Sequence, residues 1–196
     1  MKRVAQTAQY EEKVKKSKFM GYCYPVQSKA EAEKIITEKE EEHYKATHVC
    51  RAYRILTKNE VYSYNTDDGE PAQSSGPPIE SALEGRGLVN SLCIVVRYFG
   101  GTELGIGGLI RAYGGVAGKT LDRAGAVEIV RKKKIKVKAP HESYPDLLKI
   151  VQKREIDFQQ EYDQEGGIII ASIPEEKVDD FLRDIELIQG SEILKQ

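Results

Sequence analysis

The stretch from Ser91 to Arg123 limits the possible folds more than any other part of the chain. Residues 91–99, SLCIVVRYF, form an apolar run of strand length with no helical period, as expected of a buried strand. The loop after it, GGTELGIGG at Gly100–Gly108, carries five glycines in nine residues and feeds a helix expected from about Leu109 to Arg123. A buried strand passed directly into a helix implies a layered α+β domain. Glycines at Gly100, Gly101, Gly105, Gly107 and Gly108 let the backbone approach a partner and adopt positive φ. The loop opens on a helix N-terminus, whose free N–H groups and dipole favour an anion. Arg97 near the end of the strand and Arg111 in the first helical turn are expected to border one mouth. The competing reading is close packing of helix on sheet, because Gly114, Gly115 and Gly118 continue the glycine pattern. No GK[ST] closes the loop, which excludes a Walker phosphate loop.

The flanking segments supply the rest of the first domain. Residues 17–26 read as a strand, and Ser28 with Glu31 three residues on forms a capping box for a charged surface helix over about 29–44. Strands are expected at 47–56 and 60–64, joined by a hairpin link at Thr57-Lys58-Asn59. The segment DDGEPAQSSGPP, 67–78, is ordered turn or loop, and Ile79, Ala82 and Leu83 mark a short helix after it. Residues 126–138 read as extended chain crossing to a second domain. There the order is strand, helix 144–153, strands 156–162 and 168–173 hinged at Gly166-Gly167, helix 175–185, and a last extended 191–194. That β-α-β-β-α-β order is the ferredoxin-like split βαβ unit, a scaffold that by itself says nothing about function.

Bulk properties exclude several classes. The 196 residues fit one large or two small domains, and their longest apolar runs are far short of the ~20 residues of a membrane helix. The basic N-terminus has no apolar stretch behind it, so no signal peptide is expected. Three scattered cysteines form no CxxC pair, which argues against a zinc site or disulfide framework and for a reducing, cytoplasmic home. A net charge of −1 leaves any nucleic-acid contact to a local patch. The basic run RKKKIKVK, Arg131–Lys138, is such a patch, with Lys132 and Lys134 as candidate phosphate contacts. The alternation with Ile135 and Val137 favours instead a strand with one solvated face.

Catalytic chemistry has no strong candidate, and no cofactor is called for. Asp67, Asp68 and Glu70 place three carboxylates within four residues and are candidate Mg²⁺ ligands, against an Asp-Gly turn whose side chains bind local backbone N–H groups. His48, Cys50 and Arg54 share one strand face, but a buried Cys beside a hydrogen-bonded His is favoured over a nucleophile pair.

Together, ATHVCRAY (46–53), DDGEP (67–71), VVRYFGGTELGIGGLIRAY (95–113) and SKF (17–19) resemble the IMPACT family. The signature covers about residues 17–125, and the tail is similar to the smaller C-terminal domain of bacterial members. The resemblance implies an α+β chain with a ribosomal protein S5 domain 2-like fold over 1–130 and, over 131–196, a ferredoxin-like domain similar to domain V of elongation factor G. Eukaryotic relatives regulate translation by competing for a partner of an initiation-factor kinase. The expected function is therefore a cytosolic, translation-associated regulator that binds RNA, the ribosome or a regulatory protein. Its contacts would be the glycine loop, Arg97, Arg111 and the DDGEP loop, with His48, Arg51 and Tyr98 as further motif positions. The alternative is an enzyme acting on a small phosphorylated or nucleotide ligand, with His48 moving a proton. Two positions depart from the family pattern: Gln73 follows Ala72 where relatives carry Gly, and Glu103 stands where they often carry Lys.

Overall fold

The computed structural model describes residues 1–58 and 60–194, and they divide into two compact α+β units, Met1–Ile129 and Val130–Gln196. The first unit is built on a five-stranded antiparallel sheet. In chain order its strands are β2 (Ala8–Val14), β3 (Ser17–Pro25), β4 (His48–Leu56), β5 (Val61–Thr66) and β6 (Ser91–Tyr98). Their spatial order is β2-β3-β6-β4-β5. The apolar run of 91–99 is thus the central strand, and β6 is buried from Ser91 to Arg97 because helices cover both faces. On one face Ala32 and Ile36 of α1 (Lys29–Glu42) pack with Tyr22, Val49, Tyr53 and Ile94. On the other, Ile79 and Leu83 of α2 (Gly76–Glu84) and Tyr113, Val116 and Leu121 of α3 (Ile106–Ala124) pack with Phe19, Cys50, Ala52 and Val95.

Local sequence explains the helix starts. Ser28 accepts the amide N–H of Glu31 at 3.2 Å while the Glu31 carboxylate reaches back to the N–H of Gln27 at 2.6 Å. Helix α1 ends at Glu42 rather than near 44, and α3 begins at Ile106, three residues earlier than the apolar spacing implies. Gly105 takes φ +70° as the N-cap, so the glycines that look like loop already belong to the first turn. The expected hairpin link places Asn59 outside the described residues; Thr57 and Glu60 hold its ends by backbone hydrogen bonding.

Three short elements were not legible in the sequence. Strand β1 (Lys2–Val4) pairs antiparallel with β7 (Ala126–Glu128), tying the start of the first unit to its end, and β2 forms the sheet edge. Residues 126–138 are therefore not one extended crossing: β7 belongs to the first unit and β8 (Lys132–Pro140) to the second.

The second unit runs β8, α4 (Tyr144–Lys153), β9 (Asp157–Tyr162), β10 (Gly166–Pro174), a 3-10 turn at Glu175–Lys177, α5 (Val178–Glu186) and β11 (Glu192–Leu194). Its antiparallel sheet has the order β11-β8-β10-β9. Val137, Ile169 and Ile173 pack with Leu147, Val151, Phe181 and Ile185 of the two helices. Gly166 and Gly167 lie within β10 rather than forming its hinge. A Cβ on Gly167 would fall 2.2 Å from the Tyr144 ring, so close packing requires the glycine. No helix among the described residues is long and apolar enough to cross a membrane.

Candidate functional site

The chemistry of the DDGEP loop is divided among three different jobs. The Asp67 carboxylate accepts from the N–H groups of Gln73, Ser75 and Gly76 and from the Ser75 hydroxyl, at 2.7–2.9 Å, and so holds the start of α2. Partial burial works to raise its pKa, but the bonds from Ser75, Gly76 and Gln73 outweigh it and hold the carboxyl below the ordinary Asp value. Asp68, at φ +46°, accepts the Val49 N–H at 2.6 Å and presents its own carbonyl to His48 Nδ1 at 2.7 Å. Glu70 alone turns inward. It is 8 % exposed, and its Oε1 accepts from Arg97 Nη1 at 2.6 Å and from the Tyr113 hydroxyl at 2.7 Å.

These contacts revise the candidate Mg²⁺ set. The loop turns Asp67 and Asp68 to backbone amides and Glu70 to Arg97, and among the described residues no three His, Cys, Asp or Glu side chains are placed to hold a metal ion. The loop geometry is that of the Asp-Gly turn, with the carboxylates satisfying local N–H groups.

Arg97 is likewise engaged. It is 5 % exposed, bonds Glu70 and the Ser17 hydroxyl, and lies between the Phe19 and Phe99 rings, 5.5 and 5.4 Å from their centres. Its charge is matched inside the fold, so it is no free phosphate contact. Arg111 is also not its neighbour. Arg111 borders a separate groove with Glu12, Lys15 and Lys119, and Leu104 borders both that groove and the Arg97 cleft. The two arginines do not share a mouth.

What the fold does assemble is a cleft of about 390 Å³ bordered by Thr47, His48, Glu70, Pro71, Arg97, Phe99 and the 103–109 segment. His48 Nδ1 must be the protonated nitrogen, because the Asp68 carbonyl can only accept. Its Nε2 then stands 3.8 Å from Glu70 Oε2. Phe99 and Ile106, both on the rim of the cleft, are 50 % and 59 % exposed. Neither side chain stood out in the sequence, since an exposed Phe or Ile reads there as core.

The glycines have unequal roles. Gly100 has no room for a Cβ, which would lie 1.9 Å from the Lys16 carbonyl oxygen, whereas Gly101 and Gly105 take left-handed φ in open space. Gly107 and Gly108 sit in the first turn of α3, and Gly115 has nothing close. Close packing thus accounts for Gly100 and bears on Gly108 and Gly118, where a Cβ would lie 3.0 Å from Leu104 and 3.1 Å from Arg86, but not on Gly101, Gly105 or Gly115.

The remaining candidates lie elsewhere. Cys50 is buried, donates to the Asp67 carbonyl, and burial pushes its thiol up to about 12, which leaves it inert as a nucleophile. Arg51 pairs with Glu40 at 2.6 Å, and the Tyr98 hydroxyl binds His43 Nδ1 at 2.8 Å; neither borders the cleft. The Tyr113 hydroxyl is held far above its ordinary pKa by burial and by Cys50 and Glu70, so it stays a donor to Glu70. In the second unit Lys132, Lys136 and Lys138 pair with Asp157, Glu161 and Asp163 of the same domain at 2.6–2.9 Å. Lys134 is exposed and without an ion-pair partner among the described residues. Half of the basic run, Lys132, Lys136 and Lys138, is therefore already paired within its own domain, which the linear count of basic residues hid.

Residues 15–121 match the Impact N-terminal domain family. An IMPACT family member from Thermus thermophilus is 35 % identical over 161 residues, 82 % of this chain and 86 % of that protein. The IMPACT family member YvyE of Bacillus subtilis is 38 % identical over 125 residues, 64 % of this chain, and the aligned part spans 57 % of its length. A crystal structure of a hypothetical protein, 24 % identical, covers all of this chain and 96 % of its own with a TM-score of 0.75, so the two share a fold. The chain belongs to the IMPACT family.

Proposed function

We propose that the protein is a docking module of the translation apparatus, whose first unit takes a protein partner at the cleft beside the glycine loop. The observation that carries this reading is the contrast between the cleft's charges and its rim. Arg97 and Glu70 are paired with each other, while Phe99 and Ile106 stand exposed. An RNA phosphate needs an unmatched cation, and the cleft wall adds the carboxylate of Glu103 instead. Burying the exposed half of Phe99 and of Ile106 under a partner contributes about 1–1.5 kcal/mol each, enough to register in an interface. The association with translation rests on the resemblance to family members that regulate it. The strand order β11-β8-β10-β9 supports a ferredoxin-like second unit, and the single helix on one sheet face with two on the other is our basis for reading the first as S5 domain 2-like.

The test is co-sedimentation with ribosomes and, separately, with ribosome-free RNA at about 50 and 200 mM salt. Apolar docking predicts ribosome association that changes little with salt and is lost in the Phe99→Ala, Ile106→Ala double variant. Association with bare RNA that drops steeply with salt and ignores those two residues would overturn the protein-partner reading.

One observation favours the small-ligand enzyme as a second reading. The Asp68 carbonyl fixes the His48 tautomer and leaves Nε2 able to take a proton from a bound molecule. Nucleotides at millimolar concentration raising the melting temperature would support it.

A further inference from the structure

Two buried thiols with no part in the cleft face each other across the sheet of the first unit. Cys23 of β3 and Cys93 of β6 are directly opposed in the antiparallel register, and both are fully buried. Opposed residues project to one face, here the face under α3, where both join Val116 and Leu121 in the core. Both cysteines are free, and Cys23 Sγ donates to the Thr120 carbonyl of α3 at 3.7 Å.

The hydrogen-bonding phase of the two strands sets how close the pair lies. The Val26 N–H bonds the Asn90 carbonyl at 3.0 Å, one step beyond the opposed pair Pro25 and Ser91. At the other end of β6 the Arg97 carbonyl accepts from Thr47, on the side of β4. Bonds alternate along an antiparallel ladder, so both observations make Tyr24–Leu92 and Tyr22–Ile94 bonded pairs and Cys23–Cys93 a non-bonded one. A non-bonded pair has its Cα atoms about 4.5 Å apart, inside the window of about 4.4–6.8 Å that a disulfide spans. Cys50 lies two residues along β4 from Ala52, the residue opposite Cys93. That diagonal of about 7–8 Å falls outside the window, and Cys50 Sγ is turned to the Asp67 carbonyl.

We infer that Cys23 and Cys93 are a latent redox pair, closing to a cross-strand disulfide under a two-electron thiol oxidant and reopening with a thiol reductant. The two thiols form one S–S bond and release two protons, and their two electrons pass to the oxidant. Spacing at the short end of the window strains the bond, which keeps it reducible. Burial pushes the Cys23 thiol up to about 11 and, with Cys23 beside it, holds that of Cys93 well above its ordinary value. Thiolate is therefore scarce in the closed fold, and oxidation waits on a local opening in which α3 lifts from the sheet. The docking reading plays no part in this inference, since neither cysteine borders the cleft.

The test treats the full chain with diamide, which is reduced to its hydrazine as the bond forms, both without urea and in urea below the unfolding midpoint. Remaining thiols are then blocked with iodoacetamide under denaturing conditions, and the mass is measured. The oxidised chain should be lighter by two hydrogens and carry one blocked thiol, at Cys50, where the untreated chain carries three. Proteolysis should release a linked Cys23–Cys93 peptide that dithiothreitol separates. Cys50→Ala should cross-link as the wild type does, and Cys23→Ala should form no internal bond. Closing the long loop between the two strands should raise the melting temperature by about 5–10 °C. Three blockable thiols after diamide, even in urea, would overturn the inference. A bond to Cys50 formed without urea, or a lower melting temperature of the cross-linked chain, would overturn it as well.

Discussion

Gln73 carries φ +63°, a left-handed conformation that costs a non-glycine residue about 1–2 kcal/mol. The resemblance puts glycine at this position, so the departure seen in the sequence falls where the backbone favours glycine. Gln73→Gly should raise stability by about 0.5–1 kcal/mol, the relief of strain less the extra chain entropy of glycine, read from urea unfolding. An unchanged or lower midpoint would show that the loop relaxes around the glutamine. Glu70 behaves oppositely. Its partners Arg97 and Tyr113 are buried, and Glu70→Ala leaves an uncompensated guanidinium, at a cost of about 3–5 kcal/mol. Glu70→Met/Arg97→Met together should cost much less than Glu70→Ala alone, because the cost lies in the orphaned charge. A double variant as unstable as the single would refute that account. Both residues were candidates in the sequence for binding; their burial, and hence their pairing with each other, was not readable there.

At the scale of elements, α2 begins where Asp67 gathers three backbone N–H groups. Asp67→Asn should destabilise the chain by about 2–3 kcal/mol at neutral pH, as hydrogen bonds to a charged acceptor weaken together. The sign of its pH dependence follows from the direction of the shift. The folded pKa is depressed, so the contribution is complete above the ordinary value of 3.8 and is lost as pH falls through the lower, folded value. The stability gap between wild type and Asp67→Asn should thus hold steady from neutral pH down to about 5 and close in more acid solution. A gap that closed near pH 6 to 7 would implicate a histidine instead. The same scale explains the early start of α3: glycines disfavour helix interiors, yet Gly107 and Gly108 are carried by a helix whose Leu109, Tyr113 and Val116 are buried.

Over the whole molecule, the two units each possess a core of their own, one set on the five-stranded sheet and one on the four-stranded sheet. The β1–β7 pair closes the first unit upon itself at Met1–Ile129. A chain ending at Ile129 should fold and keep the amide pattern of the sheet, as seen by amide spectra. An unfolded fragment would show that the second unit is needed to hold the first. The two units also differ in electrostatics. The first keeps its decisive ion pair buried at Glu70–Arg97, whereas the second matches lysines of β8 with exposed acids, contacts that contribute little individually and fade with salt.

The sequence alone determined the family, the alternation of strands and helices, and the strand-loop-helix at 91–123, because local patterns of apolar residues, glycines and caps are written in neighbouring positions. Tertiary structure decided which of the marked residues remain available. It brought Glu70, Arg97 and Tyr113, far apart in the chain, into one buried network, and it set Arg111 in another groove. It also aligned β8 with its acidic neighbours and left Phe99 and Ile106 outside the core. The physical reason is that charge availability and exposure are properties of pairs and surfaces, created only when distant segments meet across the sheet.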